Sequence, residues 1–72
     1  MDIKLKIGLR IKDLRQHKKL SQEALANIAN VDRTYVNSVE NGRRNISVEL
    51  LEKLIIALGT TFEIFFNDQL FR

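Results

Sequence analysis

From Ile7 to Phe66 the apolar residues of this chain return every three or four positions, the period of an amphipathic helix. Ile7, Ile11 and Leu14 form the first stripe and predict a helix ending near Lys18. Its beginning reads two ways. Ile3, Leu5 and Ile7 alternate as an extended segment does, but Ile3 also continues the helical stripe, and helix is the preferred reading. Gly8 inside that helix costs about 1 kcal/mol relative to Ala, which points to a close packing contact. Ser21 is a good N-cap for a second helix from Gln22 to Ala29, with Ala24, Leu25 and Ile28 facing inward and small Ala26 and Ala29 permitting close approach. Asn30 tolerates a left-handed turn. Asp32 then caps a third helix to Glu40, with Val36 and Val39 as its buried contacts. Asn41 and Gly42 end it, Gly42 being suited to a left-handed cap.

The pattern continues past a loop at Arg43–Ile46. Ser47 caps a fourth helix whose apolar face is Leu50, Leu51, Leu54, Ile55 and Leu58, and Gly59 ends it. Thr61 caps a short last helix holding Phe62, Ile64, Phe65 and Phe66. The expected fold class is therefore all-α. Proline is absent, so glycine, asparagine and cap residues must set the helix ends.

Composition narrows the function. Seventy-two residues make one domain, with a core large enough to fold without staples and marginal enough to profit from a second copy. There is no cysteine, and the lone His17 cannot build a metal site, so neither metal nor cofactor is expected. No apolar run approaches the roughly 18 residues of a membrane span. Basic residues interrupt each apolar stretch near the amino end, which argues against a signal peptide and makes cytoplasmic residence the expectation. The net charge of +3 says little by itself, but its distribution says more. Lys4, Lys6, Arg10, Lys12, Arg15, Lys18 and Lys19 crowd the first helix, and Arg33, Arg43 and Arg44 flank the third. Enzyme chemistry has no support: no Ser/His/Asp set, phosphate-binding glycine loop or spaced carboxylate pair is present.

The second and third helices, joined by a tight turn over about residues 21–40, read as a helix-turn-helix that lays its second helix in the DNA major groove. Arg33, Thr34 and Asn37 lie opposite Val36 and Val39, where side chains reach base edges. Arg33 suits guanine O6 and N7 in a fork, the Thr34 methyl suits thymine, and Asn37 suits adenine or a phosphate. Tyr35 could stack along the backbone or bond a phosphate, and Ser38 completes the candidate set on this helix. Arg43 and Arg44 could clamp phosphates, read a base or enter a narrow minor groove.

Arg15, the run LSQEALA at Leu20–Ala26 and the run VENG at Val39–Gly42, with the spacing between them, resemble the Cro/C1 (XRE-type) helix-turn-helix family over about residues 7–66. The run DRTYVNSVENGRRN at Asp32–Asn45 is similar to restriction–modification controller proteins within it. The resemblance implies a compact five-helix, lambda-repressor-like domain and a transcription regulator. It also implies base contacts at Arg33, Thr34 and Arg44, phosphate contacts at Gln22 and Asn45, and a partly buried ion pair of Arg15 with Glu40. It implies a homodimer on a partly palindromic double-stranded operator. The aromatic segment over about residues 60–71 supplies candidates for a two-fold interface, namely Ile64, Phe65 and Phe66, with Phe62 assigned to the core. An activator would also contact RNA polymerase, to which acidic Glu23 is suited. The competing reading is an antitoxin-type module that binds a partner protein as well as DNA.

Overall fold

Five α-helices, α1 (Ile3–His17), α2 (Gln22–Ala29), α3 (Arg33–Glu40), α4 (Val48–Ala57) and α5 (Phe62–Phe66), each start directly after a capping side chain in the computed structural model, which describes residues 1–72. Asp2, Ser21, Asp32, Ser47 and Thr61 accept hydrogen bonds from Leu5, Ala24, Thr34, Leu50 and Ile64 backbone N–H groups at 2.9–3.2 Å. Each such bond satisfies a donor that the first helical turn leaves free, typically contributing about 1 kcal/mol. The amino end is thus helical from Ile3, with Asp2 supplying the cap. Between α2 and α3 the chain turns at Asn30, whose φ of 57° is left-handed. A single 3₁₀ turn at Gln69–Phe71 closes the chain against α1.

The core draws from every helix: Ile7 and Ile11 of α1, Leu25, Ala26 and Ala29 of α2, Val36 and Val39 of α3, Leu51, Leu54 and Ile55 of α4, then Leu58 and Phe65. α1 and α2 both pack on α3, and α2 also packs on α4. Gly8 lies where α1 crosses the end of α3. A Cβ there would collide with the Val39 carbonyl oxygen and stand 2.8 Å from that of Glu40, so glycine sets the approach of the two helices.

Three inward or outward assignments change in the folded chain. Ile28 is 58% exposed, because the buried face of α2 is centred on Leu25, Ala26 and Ala29 and Ile28 falls beyond its edge. In α5 the aromatic roles are exchanged. Phe65, expected at a two-fold contact, is fully buried and is the largest side chain in the core, whereas Phe62, assigned to the core, is 37% exposed. Phe62, Phe65 and Phe66 share one face of α5, and the way α5 docks puts Phe65 alone at the centre of the core. Phe66 is half-buried, edge-on to Phe65 at 5.0 Å and to Phe71 at 4.9 Å, so its ring is held within the chain. Of the three proposed interface residues Ile64 alone is exposed, at 55%.

Arg10, grouped by its charge with the solvated lysines of α1, is instead buried. Its Nε donates to the Phe65 carbonyl at 2.8 Å and its Nη2 to that of Ile64 at 3.0 Å. Nη1 pairs with Asp68 at 3.2 Å. The guanidinium therefore caps the end of α5, where carbonyls are left without helical partners. A signal existed: Arg10 stands between Ile7 and Leu14 in the apolar stripe of α1.

Candidate nucleic-acid interface

The polar face of α3 begins at Asp32. Its Oδ1 accepts both the Thr34 backbone N–H at 2.9 Å and the Thr34 hydroxyl at 2.6 Å. These two bonds hold the Asp32 carboxyl below the usual carboxylate range, the hydroxyl bond first and the backbone bond second. They also fix Thr34, whose hydroxyl is committed to Asp32 while the residue stays exposed. Arg33, beside it, is exposed and makes no hydrogen bond or ion pair within the chain. Gln22 of α2 and Arg33, Thr34 and Asn37 of α3 line one shallow cleft of about 250 Å³. Four of the sequence-predicted residues thus converge on one patch.

Behind the patch stands a buried ion pair. Arg15 Nε lies 2.6 Å from Glu40 Oε2 and Arg15 Nη2 lies 3.0 Å from Oε1, with the Glu40 side chain only 2% exposed. The fork geometry is the strong form of an Arg–carboxylate contact. It raises the Arg15 pKa above its ordinary value, chiefly through the hydrogen bond to Glu40. Arg15 also donates to the Leu20 carbonyl at 2.8 Å, so one guanidinium ties α1, the α1–α2 connection and α3 together. Gln22 Nε2 donates to Glu40 Oε1 at 3.1 Å, and Gln22 Oε1 accepts from Asn37 Nδ2 at 3.2 Å.

The remaining candidates are scattered. Tyr35 is half-buried, and its hydroxyl is enclosed with no hydrogen-bond partner. Burial pushes that phenol's pKa up, partly offset by the charge of Arg44. The Arg44 guanidinium stacks over the Tyr35 ring at 5.2 Å, a cation–π contact that sets the loop's second arginine against α3. Tyr35 therefore offers a ring face, already covered by Arg44, and no outward hydroxyl. Ser38 is half-buried, and its carbonyl accepts from the Arg43 N–H at 3.0 Å. Arg43 and Asn45 are exposed. Two residues outside the predicted set join the site. Lys12 of α1 and Asn41 line a second cleft of about 280 Å³ with Gln22, Asn37 and Glu40. Nothing in the spacing of α1 placed Lys12 there, since which part of α1 meets α3 is a tertiary matter.

The fold that carries this site is shared with known proteins. The helix-turn-helix family profile matches residues 11–65. The chain belongs to the Cro/C1-type helix-turn-helix family. It is 47% identical over 68 residues to the control protein C.MunI of Mycoplasma sp., covering 93% of this chain and 92% of that one. Its fold is similar to the restriction–modification controller protein C.AhdI from Aeromonas hydrophila, with a TM-score of 0.84 and 43% identity over 88% of this chain and 96% of that one. It is also similar to the controller protein C.Esp1396I, solved as a tetramer with its natural 35-base-pair operator, at TM-score 0.85 and 34% identity over 92% and 88% of the two chains.

Proposed function

We propose that this family member is a sequence-specific DNA-binding transcription regulator of the controller-protein class, acting as a homodimer on a partly palindromic operator. The observation that carries the reading is the exposed patch of Gln22, Arg33, Thr34 and Asn37, in which Arg33 has no partner within its own chain. A free, exposed guanidinium at the start of the second helix of the motif suits the O6 and N7 acceptors of guanine, and the methyl of exposed Thr34 suits thymine. Arg43 and Asn45 are assigned to phosphates. Arg44, stacked on Tyr35, is assigned to the base or minor groove beside them.

The longest extent of the molecule is 30 Å, less than the roughly 34 Å between successive major-groove faces, so one copy reads one half-site. The second copy is assigned to the carboxyl-terminal side, where Ile56, Phe62 and Ile64 are exposed on α4 and α5. Exposed apolar residues of this size suit a self-complementary contact. Exposed Glu23 on α2 is the proposed acidic contact to RNA polymerase in an activating complex.

Site selection from a random duplex pool tests the reading, followed by anisotropy titrations at several salt concentrations. A partly symmetric site with half-sites about one turn apart, bound more weakly as salt rises, is the expected result. A pool that never converges, with only weak salt-sensitive binding, overturns it.

A further inference from the structure

Asn37 faces outward on the recognition helix and is chemically able to read adenine, yet its amide is already oriented by its neighbours. The orientation starts at Arg15, whose guanidinium holds both oxygens of Glu40. A carboxylate held this way only accepts hydrogen bonds. Gln22, 3.1 Å from Glu40 Oε1, must therefore present its NH₂ group to it. Its Oε1 is then turned toward Asn37 and requires a donor, which Asn37 Nδ2 provides at 3.2 Å. The Asn37 Oδ1 is left facing the last turn of α3, where Asn41 Nδ2 lies 3.4 Å away and also donates to the Asn37 carbonyl at 2.8 Å. Amide orientation is ordinarily inferred from the best-satisfied network. Here one buried charge fixes it for the whole row.

Two consequences follow. Adenine readout uses an amide oxygen and an amide N–H together, on N6 and N7. Asn37 has its oxygen turned along the helix and one N–H committed, so this paired contact is closed to it. What the Gln22–Asn37 pair still offers outward is one N–H from each amide. The pair stands between the cleft holding Arg33 and Thr34 and the cleft holding Lys12. Two donors beside a lysine fit a group with acceptors only, on DNA a phosphate or the O6/N7 edge of guanine; Gln22 opens α2, whose amino end carries free N–H groups, and that favours the phosphate. We infer that Asn37 is a positioning residue that holds the Gln22 amide toward a backbone phosphate, with Lys12 at the same phosphate, and that it selects no base. This rests on the DNA-binding reading.

The test uses the full chain on its selected operator. Each phosphate is replaced in turn by a neutral methylphosphonate, and each base pair is varied in turn. Gln22→Ala identifies its phosphate as the position where the methylphosphonate costs the wild type affinity and the variant nothing. Asn37→Ala is expected to weaken binding about three- to tenfold, the effect of one hydrogen bond, and equally on every base-pair variant. That loss should vanish on the methylphosphonate duplex and should not add to the loss from Gln22→Ala. A destabilised fold would lower affinity on the modified and unmodified duplexes alike, so thermal melts accompany the titrations. Should Asn37→Ala relax the preference at one base pair, it is a base reader and the inference is overturned. The inference also fails if the Asn37→Ala loss persists unchanged on the methylphosphonate duplex, or if Asn37→Ala binds as well as the wild type. A wild type that selects no site overturns the DNA-binding reading itself, a result visible before any variant is made.

Discussion

Arg15→Met removes one partner of the buried pair and leaves Glu40, 2% exposed at its side chain, with Gln22 as its sole remaining donor. Breaking a buried ion pair from one side costs about 3–5 kcal/mol, because the surviving charge stays desolvated. The loss of the Leu20 carbonyl's partner falls within that figure. A domain of 72 residues has roughly 4–11 kcal/mol of total stability at about 0.05–0.15 kcal/mol per residue. The substitution therefore removes from about a quarter to all of it. Urea denaturation at fixed protomer concentration is the assay, since a dimer's apparent stability depends on concentration. With a slope of about 1 kcal/mol/M, the midpoint should fall by roughly 3 M or the variant should be unfolded in water. The double variant Arg15→Met, Glu40→Leu removes both charges and should recover at least about 2 kcal/mol of the loss, since apolar replacement of an entire pair is often neutral. A single-variant loss below about 1 kcal/mol, or a double variant weaker than Arg15→Met, would refute the argument that the stranded Glu40 carboxylate sets the cost.

Further expectations concern other parts of the chain. Gly8→Ala should destabilise by about 1–3 kcal/mol despite the better helix propensity of alanine, because the new methyl meets backbone carbonyls that cannot move aside; a chemical melt showing a gain would contradict the close approach of α1 to α3. Arg10→Met should cost about 2–4 kcal/mol and loosen the last residues first, read as faster amide exchange at Phe65–Phe71, since the Phe65 carbonyl loses its donor and the Ile64 carbonyl and Asp68 each lose one of their two. Asp32→Asn should flatten the acid limb of the stability curve. The folded-state pKa of Asp32 is depressed, so its contribution is fully present above the unfolded carboxyl value and is lost as pH falls through the lower folded value. Equal acid limbs in the two proteins would count against the Asp32–Thr34 bonds. Ile64→Asp should leave the monomer's thermal stability nearly unchanged, because the side chain is exposed, while shifting sedimentation toward monomer; an unchanged dimer would place the interface elsewhere.

Most of this fold is written locally. The helix starts follow from Ser21, Asp32, Ser47 and Thr61, short polar side chains that satisfy free N–H groups a few residues away. The stripes that bury Ile7, Ile11, Leu25, Val36, Val39, Leu51 and Leu54 repeat at helical period and are visible without coordinates. The patch of Gln22, Arg33, Thr34 and Asn37 was legible for the same reason: all four lie within one motif of short, regular connections. What periodicity does not carry is how helices distant in sequence meet. Arg10 looks like one more surface cation until α5 ends against it, 55 residues later in the chain. Phe62 and Phe65 are equivalent by composition and one helical turn apart, and only the docking of α5 decides which ring enters the core. The orientation of the Asn37 amide likewise depends on a carboxylate of α3 meeting a guanidinium of α1, 25 residues apart. Backbone capping and amphipathic period act over a few residues and belong to the sequence itself, whereas desolvation and hydrogen-bond direction arise only when the helices pack.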